Sequence, residues 1–70
     1  MLDVRKLRYF LAVAQALHFG RAAQALHLAQ PALTRQISAL EAQLGFTLFE
    51  RSSRTVSLTA EGQAFVPYAR

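Results

Sequence analysis

From Val4 to about Leu17, apolar residues recur at intervals of three and four: Leu7, Phe10, Leu11, Ala14 and Leu17. At about 100° per residue this spacing keeps them on one stripe, and it predicts a first helix buried along that stripe. Asp3 is placed to cap its start. After a break at "HFG", the run "RAAQALH" predicts a second helix of about two turns, with Gly20 as its N-cap and Ala22, Ala23 and Leu26 facing inward. Alanines of this kind let two helices cross closely, but they also raise helix propensity, and both readings stay open.

The third segment, "LAQPALTRQISALEAQLG", carries a proline suited to a first helical turn at Pro31 and a glycine suited to a helix end at Gly45. A helix from Gln30 to Leu44 follows, with Leu33, Ile37, Leu40 and Leu44 as its buried stripe. Geometry then turns Pro31, Arg35, Ser38 and Ala42 outward, with Thr34 on one shoulder and Ala32 and Ala39 on the other. Glu41 is the only carboxylate of this helix and lies late and to one side. A helix made only to be wet would alternate Glu and Lys on such a face. The residues found there point to a contact surface, with a plain solvated face as the alternative.

Beyond Gly45 the period shortens. In "FTLFERSSRTVSLT", Leu48, Val56 and Leu58 alternate around a polar turn at Arg51, Ser52, Ser53 and Arg54, which predicts a short hairpin with two guanidinium groups near its tip. Thr59 then reads as the N-cap of a last helix, "AEGQAFVPYAR", with Glu61 in its first turn. Pro67 is expected to kink or weaken that helix. The pattern divides the chain into a domain over residues 1–58 and the start of a linker helix over 59–70, and it leads us to expect the N-terminal piece of a longer protein.

Seventy residues without Cys allow one domain and exclude disulfide frameworks, thiolate metal sites and a cysteine nucleophile. No apolar run approaches the roughly 18 residues that cross a bilayer, so we expect a cytoplasmic protein without membrane contact. The net charge is +4, and seven of the eight basic residues are Arg. Guanidinium suits bidentate contact to phosphate and base edges, so the charge points first to nucleic acid. An enzyme lacks its parts here: there is no Gly-rich phosphate loop, no paired carboxylates and no Ser with a base and orienting group. His18 and His27 read as surface or turn residues, not metal ligands. No catalytic, metal or cofactor site is expected.

Helix, short helix, tight turn, third helix with a polar outer face, then a basic hairpin: the predicted fold is mainly α, a winged helix-turn-helix. It comprises a three-helix core, a short β-hairpin wing and the start of a C-terminal linker helix. In that arrangement the second helix of the pair enters the major groove of DNA. Gln can pair with adenine, Arg with guanine, and a Thr or Ala methyl can meet the thymine methyl. A helical protein-interaction module is the rival reading, but such a face ordinarily carries aromatic or large aliphatic anchors.

The stretch "LRYFLAVAQALHFGRAAQALHLAQPALTRQISALEAQLGFTLFERSSRTVSLTAEG" resembles the N-terminal DNA-binding domain of bacterial LysR-type transcriptional regulators. The most specific parts are "RAAQALHLAQPALTRQISALEAQLG", "LFER" and "LTAEG". The resemblance implies that Gln30, Pro31, Thr34 and Arg35 approach bases and phosphates from the recognition helix, with Ala32 beside them, and that Arg54 reaches toward the minor groove. Ser38 on the outer face, Thr59 at the opening of the linker helix, Arg21 and Ala29 complete the expected DNA-binding set. For Arg51, the arginine of the family's "LFxR", a structural role and a DNA contact both stay open.

Three positions depart from the family pattern. Ala29 stands where a Ser usually caps the recognition helix, Gly20 where a Thr or Ser is common, and Pro67 interrupts the linker helix. The resemblance further implies double-stranded promoter DNA with an interrupted palindrome as partner. It also implies a homodimer through the linker helix, a tetramer for the whole protein, a small-molecule inducer held by a C-terminal domain outside this sequence, and promoter regulation, usually activation. The start "RKLRYFLAVA" is similar to members that control aromatic-compound breakdown.

Overall fold

A computed structural model describes residues 3–52 and 54–70, so Ser53 of the expected turn lies outside the described residues. Helix α1 (Val4–Ala16) opens on Asp3, whose carboxylate accepts the Arg5 N–H at 2.9 Å and faces the Arg5 guanidinium at 3.2 Å. The backbone N–H of Arg5, then its side chain, hold the Asp3 carboxyl below its ordinary value of 3.8. The buried stripe differs from the expected one at its inner end. Phe10 and Val13 are fully buried, whereas Leu17 is 43% exposed. The cause is local: the helix stops at Ala16, and Leu17 takes a left-handed conformation (φ 50°) that turns the chain toward the next helix.

Helix α2 (Phe19–Ala25) is capped by His18 and not by Gly20, which lies inside the first turn. His18 Nδ1 accepts the Arg21 N–H at 2.9 Å. Because the helix starts earlier than expected, Phe19 joins it and enters the core beside Ala22 and Ala23. The chain then reverses within three residues. His27 adopts φ 58°, and the Leu28 N–H returns to the Ala23 carbonyl at 2.8 Å, a helix-ending turn.

Helix α3 (Gln30–Leu44) has the expected bounds, buries Leu33, Ile37 and Leu40, and ends on Gly45 at φ 82°. Strands β1 (Phe49–Arg51) and β2 (Val56–Leu58) pair antiparallel, Phe49 with Leu58, Glu50 with Ser57 and Arg51 with Val56. Helix α4 (Ala60–Ala69) runs on past Pro67, the expected weak point, to Ala69. Proline removes the donor that would reach the Gln63 carbonyl, but Gln63 and Pro67 are both exposed, so water can satisfy that carbonyl.

Helix α1 packs against α2, α3 and α4, while α2 crosses α3. The ring of Phe10 joins these layers, 5.5 Å from Phe49 of the hairpin and 5.2 Å from Phe65 of α4. Phe19 of α2 meets the same Phe49 ring at 5.8 Å and 75°. One aromatic cluster thus ties α2, the hairpin and α4 to the centre of α1.

Candidate nucleic-acid interface

The first turn of α3 is closed without a side-chain cap, since Ala29 offers none. Instead, the Ala29 carbonyl accepts the N–H groups of Ala32 at 3.0 Å and Leu33 at 3.1 Å, while Pro31 has no N–H to satisfy. The Ser found at this position in the pattern would therefore find most of its work already done. Ala29 itself is exposed.

With Leu33, Ile37 and Leu40 holding the inner stripe, the outer face presents Gln30, Pro31, Arg35, Ser38, Ala39 and Ala42 exposed, with Ala32 and Thr34 half-buried at its edges. Gln30, Pro31, Thr34 and Arg35 line one shallow concavity. It offers an amide, a hydroxyl, a guanidinium and a proline ring on a rigid helix, with no carboxylate beside them.

A second cleft, of about 280 Å³, separates the starts of α2 and α3 from the hairpin and is lined by His18, Gly20, Gln30, Arg51 and Arg54. Gln30 belongs to both surfaces, so the helix face and the hairpin are continuous. Arg54 is exposed at the turn, where the Ser52 hydroxyl accepts the Thr55 N–H at 3.0 Å and pairs with the Thr55 hydroxyl at 2.8 Å. Arg21 is exposed on α2. Arg51 ends β1 and does not belong to the turn; its Cζ lies 4.0 Å over the ring of Phe19.

Thr59 does not stand with these exposed groups. It is 8% exposed, its hydroxyl donates to the Thr47 carbonyl at 2.7 Å, and the same oxygen accepts the Gly62 N–H at 2.9 Å. The hydroxyl's one proton is thus used inside the domain, which leaves it no donor for the DNA phosphate expected of it.

Sequence reasoning passed over three structural groups. His18 is exposed in the turn before α2, as expected, but its cap to the Arg21 N–H was not legible, because His is not among the usual N-cap residues. Glu41 Oε2 accepts the N–H groups of Leu48 at 2.7 Å and Phe49 at 3.4 Å, and so anchors the hairpin entry to α3. Its signal was its isolation on a helix otherwise free of acid. Gly62 has none in the pattern: a Cβ there would lie 2.2 Å from the Leu48 carbonyl oxygen.

Two helices joined by a tight turn, a third packed across them and a basic hairpin behind the second of the pair define a winged helix-turn-helix protein. The family of bacterial regulatory helix-turn-helix proteins, lysR family, matches residues 4–63, and the chain belongs to it. The chain is 55% identical over 69 residues to the transcriptional regulator TfdT of Cupriavidus pinatubonensis, covering 99% of this chain and 30% of that protein. It is 52% identical to the uncharacterized regulator YnfL of Escherichia coli, again over 99% of this chain but 23% of that one. Among solved structures, the CbnR DNA-binding domain in complex with DNA superposes with a TM-score of 0.94 at 52% identity, covering 99% of this chain and 79% of that one. The BenM domain bound to catB site 1 DNA gives 0.92 at 50% identity, covering 97% and 76%. No helix among the described residues is long and apolar enough to cross a membrane.

Proposed function

We propose that the chain is the DNA-reading domain of a bacterial transcriptional regulator, with α3 in the major groove and the β1–β2 wing at the adjacent minor groove. The observation that carries this is the outer face of α3, where Gln30, Pro31, Thr34 and Arg35 form one concavity that continues through Gln30 into the cleft holding Arg54. Gln30 and Arg35 read base edges, Thr34 and Ala32 offer methyl contacts, and Pro31, Ser38, Ala29 and Arg21 approach the backbone. That the similar CbnR and BenM domains are found in complex with DNA supports DNA as the partner. A protein-docking face would want aromatic anchors, and the α3 face has none.

In this reading residues 1–58 bind DNA and residues 59–70 begin a linker helix through which two copies pair on an interrupted palindrome. Support comes from an apolar surface on α4, where Phe65 and Tyr68 stand beside Phe46, with Tyr68 80% exposed. The chain spans about a quarter to a third of the curated relatives it matches. The whole protein would then be a cytoplasmic, tetrameric regulator that activates its promoter when a further domain binds a small-molecule inducer. No catalysis is assigned to it.

The test is a binding titration against salt. Affinity should fall linearly in log salt with a slope of about −0.9 for each phosphate contacted. Arg35→Ala and Gln30→Ala should each reduce discrimination against the wrong base pair by about 1–3 kcal/mol. Salt-insensitive binding, or discrimination unchanged in both variants, would refute the reading.

A further inference from the structure

We infer that Arg51 is a positioning residue for the wing: stacked on Phe19, its guanidinium holds the hairpin against α2 and thereby sets where Arg54 meets the minor groove. The inference rests on the wing reading given above. Two strands of three residues are marginal alone, so the wing's direction has to come from its attachments. At the base, Phe49 is buried, and Glu41 binds the Leu48 and Phe49 amides. Toward the tip, Glu50, Ser52, Arg54 and Thr55 are all exposed, and Val56 is half-buried.

Arg51 fills that gap. Side chains two apart on a strand share a face, so Arg51 lies on the same side as the buried Phe49. Both meet Phe19, which is 6% exposed: Phe49 at 5.8 Å between ring centroids, and the Arg51 guanidinium at 4.0 Å from the ring centroid. A cation over an aromatic face is attracted by the ring quadrupole, and a planar guanidinium keeps close contact while its N–H groups stay hydrated. Among the described residues the one ion pair joins Arg5 to Asp3, so no carboxylate holds Arg51. Among the described residues, the ring is the one partner its guanidinium meets.

The competing account makes Arg51 a phosphate contact in its own right, and Phe19 separates the two because its buried ring cannot touch DNA. The probe is a duplex selected by the wild-type chain from random DNA, with the wing-facing base pairs set to A·T or to G·C. Arg54→Ala should remove the preference for A·T; if it does not, the wing reading and this inference both fall. Given that loss, Arg51→Ala and Phe19→Leu should each lower the A·T preference by roughly fivefold and lower it no further in an Arg54→Ala background. The inference alone is overturned if Phe19→Leu keeps the full preference. It is also overturned if Arg51→Ala adds to Arg54→Ala and changes the salt slope by about 0.9, as a lost phosphate contact would. Should Phe19→Leu fail to fold, Arg51→Ala at an exposed side chain decides the matter through its coupling to Arg54→Ala.

Discussion

Gly62→Ala should destabilise the domain although alanine is the better helix former. A Cβ at this position would lie 2.2 Å from the Leu48 carbonyl oxygen, 3.0 Å from Leu58 Cδ2 and 3.1 Å from the Leu48 carbonyl carbon. Carbon and oxygen in this kind of contact sit about 3.3 Å apart, so α4 and the hairpin entry must separate by about 1 Å. Backbone cannot rotate away as a long side chain could. Leu48 is moreover fixed on both sides, its N–H on Glu41 at 2.7 Å and its carbonyl on the Thr59 N–H at 3.0 Å. Overpacking of this kind costs about 1–3 kcal/mol, and a weakened hydrogen bond adds up to about 1 kcal/mol. The propensity gain from Gly to Ala returns about 1 kcal/mol. A net loss of up to about 3 kcal/mol remains, out of the roughly 4–10 kcal/mol expected for a chain of this length. Urea unfolding followed by far-ultraviolet circular dichroism should show a lower midpoint at unchanged slope. A higher midpoint, the propensity gain left unopposed, would mean that the close approach of α4 to Leu48 is wrong.

Three further outcomes follow from single contacts. Glu41→Ala leaves the Leu48 and Phe49 amides without their acceptor and should cost about 1–3 kcal/mol, seen as faster hydrogen exchange at those two amides than at Leu33; equal protection would refute the anchor. Ala29→Ser should raise the unfolding free energy from urea titration by only about 0.5 kcal/mol, the low end for an N-cap, because Ala32 and Leu33 already donate to the Ala29 carbonyl; a gain of about 1 kcal/mol or more would refute this. Asp3 has a folded value below the ordinary one, so its contribution is complete above the ordinary aspartate value and is lost as pH falls through the lower folded value. The difference in midpoint between wild type and Asp3→Ala should accordingly shrink on acidification below about pH 4; a difference that stays constant would exclude a charged cap.

What could be read along the chain was whatever depends on near neighbours. Helix α3 was legible to its ends because Pro31, Gly45 and four aliphatic residues at helical spacing agree, and its polar outer side followed by subtraction. The wing came from alternation and Thr59 from its place before Glu61. The inner end of α1 was misread because its periodicity continues through Leu17, while the backbone there leaves the helix to make the turn. His18 was hidden by the neighbouring Gly20, a residue also tolerated as a cap, and the early start of α2 brought Phe19 inside with it. Thr59 could be placed as a cap from sequence, but not its burial: the Thr47 carbonyl that takes its hydroxyl proton lies 12 residues away. The partner of Arg51 was beyond reach for the same reason, since Phe19 lies on another element.

These distant contacts converge on residues 47–49, where the chain passes from α3 into the wing. Glu41 of α3 binds the amides of Leu48 and Phe49, the Thr47 carbonyl takes the Thr59 hydroxyl, and the Leu48 carbonyl takes the Thr59 N–H and abuts Gly62. Phe49 carries the connection into the aromatic cluster of Phe10, Phe19 and Phe65. Helix α3, the base of the wing and the start of α4 are thereby clamped to one three-residue segment by hydrogen bonds with partly or wholly buried partners, whose disruption is costly. A hinge at Thr59 would have to break several of them together. Turning α4 about its first turn would thus strain its contacts to α3 and to the base of the wing at once.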